Sequence, residues 1–132
     1  RNASVSGAEG GCQAEVGSAA AMAAAAAVTL AGGAPDRCLA AGANVMMSLL
    51  GLVCDPVGGL VEVPCQKRNA TAASVAFVSA QIALSGVQNL ISFDEAVAVM
   101  DEVGRGLPPE LRETALGGIA KAPSACAFCA GC

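Results

Sequence analysis

The sequence of 132 residues contains no histidine, tryptophan or tyrosine, and only 2% of its residues are aromatic. Its hydrophobic core must therefore be built from Ala, Val, Leu, Ile and Met, whose small and aliphatic side chains suit close packing of helices. The seven Lys and Arg residues are scattered and the net charge is −4. Without a basic stripe or an aromatic platform, nothing in the sequence indicates a nucleic-acid partner.

Long apolar runs are also scarce. The longest, residues 19–31, is Ala-rich and shorter than the roughly 18 to 20 residues that a membrane span requires, so we expect a buried helix and no membrane association. The chain starts at Arg1, without Met and without a signal-peptide pattern. We expect it to be a fragment of a longer chain that lacks its N-terminal part.

Gly and Pro divide the sequence into helical segments, and residues 60–64 (LVEVP) are the one strand candidate. The pair Gly32-Gly33 ends one helix, Pro35 suits the first turn of the next, and Ser92 with Glu95 forms a capping-box pattern. The predicted fold is all-α, a compact bundle of four to six helices in a single domain, residues 1–132, with Gly- and Pro-rich loops that carry cysteines. The predicted helices span about residues 13–30, 35–50, 69–84, 92–103 and 108–115, with loops at 2–11 and 51–68 and an irregular, flexible, Cys-bearing tail at 117–132.

Seven cysteines stand out in this composition. The odd number argues against a secreted disulfide scaffold and favours metal or redox chemistry in a reducing, cytoplasmic compartment. Cys12, Cys54 and Cys65 each lie in or beside a Gly- or Pro-rich turn, where backbone N–H groups stabilise thiolate and sulfide. The residues alone leave open an iron–sulfur site or incidental buried thiols, and the absence of histidine and of a nearby CxxC pair makes zinc less favoured.

The other cysteines have simpler interpretations. Cys38 lies in a predicted helix among Leu and Ala and is expected to pack as a small apolar group. Cys126, Cys129 and Cys132 are spaced CxxCxxC, which is typical of half a ferredoxin-type or zinc site but also fits an oxidation-prone tail.

Two long segments make the sequence recognisable: NASVSGAEGGCQAEVGSAAAMAAAA and LGLVCDPVGGLVEVPCQKRNA. They closely resemble the α domain of the bacterial iron–sulfur L-serine dehydratases, strongly over residues 2–70 and more loosely beyond. The separations of the three cysteines, 54 − 12 = 42 and 65 − 54 = 11, also resemble those of that family. The run CDPVGGLVEVPC favours this branch over the related cysteine desulfidase-like proteins.

The resemblance implies that Cys12, Cys54 and Cys65 ligate a [4Fe-4S] cluster whose fourth iron binds substrate. Cys132, the last residue, matches a displaceable fourth ligand. The implied reaction converts L-serine to pyruvate and ammonia, with the open iron acting as a Lewis acid on the serine hydroxyl. Because the chain has no histidine, the general base is expected outside it.

Polar residues near the cysteines are candidates for supporting roles. Arg68 and Asn69 are candidates for substrate binding, although residues 67–69 equally fit a solvated helix start. Asp55 and Glu9 fit either an outer-shell role at the metal site or a turn cap. Ser4 and Ser6 are expected to form loop hydrogen bonds.

The resemblance also implies partners, namely the upstream half of the α domain and a separate β domain, without which the chain is expected to be inactive. A homodimer remains open. So do two other functions: a non-catalytic helical domain that binds a cluster for structure or redox sensing, and a cysteine desulfidase-like lyase. The sequence does not distinguish L-serine from L-threonine or L-cysteine as the substrate.

Overall fold

The computed structural model describes residues 2–129 and is all-α over that range, which confirms the predicted fold class. The described part contains no β-strand, and its single strand-like feature is an isolated parallel bridge between Cys54 and Arg112. The six α-helices are α1 (Gly7–Gly10), α2 (Cys12–Leu30), α3 (Pro35–Ser48), α4 (Cys65–Leu84), α5 (Phe93–Gly106) and α6 (Pro123–Phe128).

The first three long helices correct the predicted boundaries. Helix α2 begins at Cys12, one residue earlier than predicted, and α3 ends at Ser48 rather than at residue 50. Helix α4 begins at Cys65 rather than at residue 69, so the predicted loop 51–68 was too long. Pro64 directly precedes this helix, and Cys65 to Arg68 carry no residue that opposes helix formation. The correction places Cys65 in the first turn of a helix.

The last third of the chain differs more. The helix predicted over residues 108–115 is only a 3-10 turn, Pro109–Leu111, because Glu113 (φ 66°) and Ala115 (φ 57°) adopt left-handed conformations that end it. The predicted irregular tail contains a 3-10 turn, Gly118–Lys121, followed by α6.

One local prediction near the thiols was also wrong, because the predicted loop 2–11 contains the one-turn helix α1. Residues 60–64, the strand candidate, form no strand, in agreement with the predicted all-α fold, and 61–64 form a turn. The capping box at Ser92 and Glu95 is confirmed, with both reciprocal hydrogen bonds present.

The core lies where α2 packs against α3 and α4, and alanine dominates it. Ala24, Ala41 and Ala83 have no exposed surface, so the three helix backbones approach closely. Leu39 of α3 and Leu50, which follows that helix, are both exposed. None of the helices in residues 2–129 combines the length and the hydropathy needed to cross a membrane.

Gln13 fixes the beginning of α2 relative to its neighbours. Its side chain is 1% exposed and donates to the carbonyl oxygens of Gly10 and Met100, each at 2.9 Å. It also accepts from the Gly51 backbone N–H at 2.8 Å. One buried amide thereby joins α1, α5 and the loop after α3 to the turn that carries Cys12.

Candidate metal centre

Three cysteine side chains come together where α2 and α4 begin. Cys12 is the first residue of α2, Cys65 is the first residue of α4, and Cys54 lies in the loop between α3 and α4. Cys12 and Cys54 are near enough for each to influence the pKa of the other, and Cys65 is near enough for its charge to raise the pKa of both. Cys12 and Cys54 are buried and Cys65 is half-buried.

Backbone hydrogen bonds hold the Cys54 loop in place from two sides. Cys54 donates its N–H to the Leu111 carbonyl at 2.9 Å, and its own carbonyl accepts from the Glu113 N–H at 2.7 Å. On the other side, the Gln13 N–H donates to the Leu52 carbonyl at 2.9 Å. The loop is therefore fixed both to the start of α2 and to the segment that follows α5.

Glycine keeps the space beside these thiols open. A Cβ atom on Gly7 would lie 3.2 Å from the Cys54 sulfur and 3.0 Å from a carboxylate oxygen of Glu15. Gly11 combines φ +77° with a Leu52 carbonyl oxygen 2.8 Å from the position of its missing Cβ. Any larger residue at either position would push the backbone away from the thiols.

Two opposing effects act on the charge of the thiols at this site. Burial disfavours the thiolate form, whereas the nearby cation and the positive ends of the helices favour it. Burial raises the pKa of the Cys12 thiol, against the lowering effects of its hydrogen bonds to Cys54 and Arg68. Burial, followed by the charge of Cys12, raises the pKa of Cys54 to about 12. The positive ends of α2 and α4, 19 and 20 residues long, favour negative charge at Cys12 and Cys65. A bound metal would have to displace the thiol protons.

Arg68 is the cation of this site rather than part of a solvated helix start. Its Nη1 donates to an Asp55 carboxylate oxygen at 2.6 Å and to the Val53 carbonyl at 2.9 Å, and Cys12 is near enough to raise its pKa. Burial lowers the pKa of Arg68, but the hydrogen bond and the charge of Asp55 outweigh it and raise the pKa overall. Arg68 is therefore charged next to the thiols.

Asp55 is the most buried charged group near the thiols, with 2% of its surface exposed. One carboxylate oxygen pairs with Arg68, and the other accepts from the Ile119 backbone N–H at 2.7 Å. Asp55 therefore supports the cation of the site and also fixes a turn that is distant in sequence, which fits both roles predicted for it.

The remaining candidates lie around this centre. Asn69 is exposed and lines a cavity of about 360 Å³ between α2 and α4. Glu9 and Lys67 are exposed. The Ser4 hydroxyl accepts from the Ser6 backbone N–H at 3.1 Å, as expected of a loop hydrogen bond.

The other described cysteines make contacts with different parts of the chain. Cys38 is half-buried against the core, as its helical surroundings predicted, and its sulfur is 3.4 Å from the Thr29 hydroxyl. Cys126 lies in α6, and the Cys129 sulfur is 2.9 Å from where a Cβ on Gly58 would be. Cys132, the predicted displaceable ligand, lies outside the described residues.

Sequence reasoning missed three residues that shape the site. Gly7 and Glu113 have no local pattern that points to the thiols, and each meets Cys54 only through the tertiary fold. Ile119 contributes a backbone N–H, which no side-chain pattern identifies. The position of Gly7 in the segment NASVSGAEGGC was the one available signal.

The three cysteines supply sulfur as their side-chain donor atom. Within residues 2–129, no three His, Cys, Asp or Glu side chains lie close enough together to hold one metal ion. Three thiols that converge without histidine are the soft donor set that iron–sulfur clusters use, and a cluster is larger than an ion and takes ligands that stand farther apart. The space kept open by Gly7 and the adjacent cation Arg68 also fit an anionic, thiolate-bound group.

The chain is thus a helical domain with one cysteine at the start of each of two long helices and a third, Cys54, on the loop between α3 and α4. The family described as "Serine dehydratase alpha chain" matches residues 1–120, and the chain belongs to that family. The match ends within the turn that follows Gly118.

Individual relatives agree with the family match. The chain is 55% identical over 123 residues to the "Probable L-serine dehydratase, alpha chain" of Bacillus subtilis (strain 168), covering 93% of this chain and 41% of that protein. It is 54% identical over 118 residues to the "L-serine dehydratase, alpha chain" of Peptoniphilus asaccharolyticus, covering 89% and 40%. With "L-serine dehydratase 1" of Escherichia coli (strain K12) it shares 46% over 120 residues, covering 90% and 26%. The chain thus spans less than half the length of these three curated relatives.

Proposed function

We propose that this chain is the cluster-binding part of an iron–sulfur L-serine dehydratase, which converts L-serine to pyruvate and ammonia. One observation carries the proposal: Cys12, Cys54 and Cys65 converge at the starts of α2 and α4 beside Arg68. Membership of the serine dehydratase alpha chain family and relatives named for L-serine support the choice of reaction and substrate.

The three thiols are the proposed ligands of a [4Fe-4S] cluster. When bound through three protein thiolates, such a cluster supplies a Lewis-acidic iron for the hydroxyl group of L-serine. Cys132 is the proposed displaceable ligand of that iron. The burial of Cys12 and Cys54 keeps water from their sulfurs, and the starts of α2 and α4 favour negative charge near Cys12 and Cys65.

Arg68 and Asn69 are the proposed contacts of the substrate. Arg68 places a positive charge beside Cys12, where it offsets thiolate charge and attracts a carboxylate. Asn69 is one residue further along α4 and is exposed, so its amide is accessible to a small molecule. Asp55 already accepts one hydrogen bond from Arg68, which restricts the guanidinium to a defined orientation.

The proton chemistry is proposed to use groups outside this chain. With no histidine in the sequence, the base that removes the α-proton of L-serine is proposed to come from the remainder of the α domain or from a β domain. We propose these as the partners of the chain, in a cytoplasmic enzyme whose reducing surroundings preserve the thiols. A homodimer of the whole enzyme is compatible with this arrangement.

Anaerobic reconstitution of the chain with iron and sulfide tests the proposal. We expect absorbance at about 400 nm and, after one-electron reduction, an electron paramagnetic resonance signal that L-serine perturbs. D-Serine is the matched control and is expected to leave the signal unchanged. A chain that keeps its helix content but takes up no cluster contradicts the proposal. A cluster that responds to neither enantiomer favours the non-catalytic role.

A further inference from the structure

The segment 118–129, which comprises the 3-10 turn Gly118–Lys121, α6 and Cys129, packs over the loop that carries Cys54. Its backbone hydrogen bonds at Ala122, Ala125 and Cys129 are local, to residues three or four positions earlier in the chain. Its apolar contacts surround a cavity of about 300 Å³ lined by Val57, Leu60, Val63, Ile119, Ala125 and Phe128. The Ile119 N–H adds a polar contact from the segment to a side chain distant in sequence.

That side chain is the Asp55 carboxylate. The Ile119 N–H donates to one of its oxygens at 2.7 Å, while the other oxygen receives the Arg68 guanidinium at 2.6 Å. Asp55 is 2% exposed, so water cannot replace either partner without opening the structure. A buried carboxylate that loses one partner shifts toward the other, so the two contacts depend on each other.

Gly118 makes the fit between the segment and Asp55 specific. Its φ of +58° is unfavourable for residues with a side chain. A Cβ at this position would also lie 2.8 Å from the Asp55 carboxylate carbon. The segment reaches Asp55 in this way only because residue 118 is glycine.

We infer that Asp55 couples the 118–129 segment to the thiol site. One of its carboxylate oxygens holds the segment through the Ile119 N–H, and the other fixes the orientation of Arg68 beside Cys12. Asp55 is therefore a positioning residue, which links the packing of the 118–129 segment to the thiol site. The role of the thiol site in this inference rests on the proposed function. The coupling between Asp55 and the segment is a property of the metal-free chain.

Hydrogen–deuterium exchange of the 132-residue, metal-free chain tests the coupling, read by mass spectrometry on peptides within 118–129. Asp55→Asn is expected to accelerate exchange there about tenfold or more, because a buried charge-assisted hydrogen bond is lost. Asp36→Asn, at an exposed carboxylate paired with Arg37, is the control and is expected to change nothing.

Two further variants each alter one of the two partners of the Asp55 carboxylate. Gly118→Ala displaces the Ile119 N–H without changing any charge, and Gly106→Ala, at a glycine with open space around it, is its matched control. Arg68→Lys keeps the positive charge but loses the planar guanidinium group. Arg68 donates to Asp55 and not to Ile119, so an effect on the segment must pass through Asp55. We expect this variant to accelerate exchange in 118–129 about threefold.

The response to Arg68→Lys decides between coupling and simple anchoring. Unchanged exchange in 118–129 in this variant, with helix content preserved, overturns the inference even if Asp55→Asn loosens the segment. If Asp55→Asn does not fold, Gly118→Ala and Arg68→Lys decide alone, and the inference fails unless both accelerate exchange. Iron and sulfide uptake is measured separately: a chain that binds no cluster but shows the coupled exchange contradicts the proposed function and leaves the inference standing.

Discussion

Cys12 and Cys65 occupy equivalent positions, since each is the first residue of one of the two longest helices in the described part of the chain. The two helices pack against each other, and Glu15 near the start of α2 lines the same cavity as Asn69 near the start of α4, so their positive ends face the same region. Cys54 enters this region on a loop tied to the segment after α5. Two helix starts and one loop thereby bring together thiols that are 42 and 11 residues apart in sequence, as 54 − 12 and 65 − 54 show.

The first prediction compares cysteine variants. Cys12→Ser, Cys54→Ser and Cys65→Ser should each abolish cluster uptake in anaerobic reconstitution, because serine is a poor ligand for iron–sulfur clusters. Cys38→Ser is the matched control and should take up iron like the parent chain, since Cys38 contacts Thr29 and the core instead. Iron and sulfide analysis measures the outcome. Loss of iron in Cys38→Ser, or retention in Cys54→Ser, would contradict the assignment.

The proximity of Cys12, Cys54 and Cys65 could be predicted from the sequence because the motifs around them are long and specific. Their role as ligands stays a prediction. The helical fold could be predicted because Gly and Pro punctuate Ala-rich runs. The start of α4 was misplaced because Pro64 and the residues after Cys65 were assigned to the loop. The dual contact of Asp55 could not be predicted, because it joins Arg68 to the backbone N–H of Ile119, which lies 64 residues after Asp55 in the chain.

The alanine core yields the second prediction. Ala24 has no exposed surface between α2 and its neighbours, whereas Ala26, two residues along the same helix, is exposed. Ala24→Leu should lower the free energy of unfolding by about 1 to 3 kcal/mol, because the closely packed helices cannot accept the added volume. Ala26→Leu is the control and should change it by less than about 0.5 kcal/mol. Urea denaturation measures both, and equal effects would contradict the described packing.

Gln13 carries the third prediction. Gln13→Ala removes the acceptor of the Gly51 N–H and the donor to the Gly10 and Met100 carbonyls. The free energy of unfolding should fall by about 2 to 4 kcal/mol, since buried polar groups lose their partners. Gln81→Ala, on the exposed face of α4, should cost little. A Gln13→Ala variant as stable as Gln81→Ala would show that the buried network does not hold the beginning of α2.

The capping box of α5 gives a prediction on stability. Ser92→Ala should destabilise the chain by about 1 kcal/mol, because the Ser92 hydroxyl accepts from the Glu95 backbone N–H. Ser74→Ala, at an exposed position within α4, is the matched control and should be near neutral. Thermal unfolding followed by circular dichroism measures the difference, which should be absent if the cap contributes nothing.

The same capping box makes part of the stability depend on pH. Its hydrogen bonds from Ser92 lower the pKa of Glu95 from its ordinary value of 4.5. A lowered pKa means that this stabilisation is fully present above the ordinary value and is lost as the pH falls through the pKa of the folded state. The stability gap between the parent and Ser92→Ala should therefore narrow as the pH is lowered from about 6 to about 3. A gap that widens on acidification would contradict this assignment.

The central claim, that three thiols of this chain hold a cluster with one iron open to substrate, is tested most directly by Mössbauer spectroscopy of the chain reconstituted with ⁵⁷Fe. The account predicts about four irons per chain, of which one changes its spectrum when L-serine is added. The variant that carries Cys12→Ser, Cys54→Ser and Cys65→Ser together is predicted to bind none. Four equivalent irons that ignore L-serine, or equal iron uptake by the triple variant, would contradict the account.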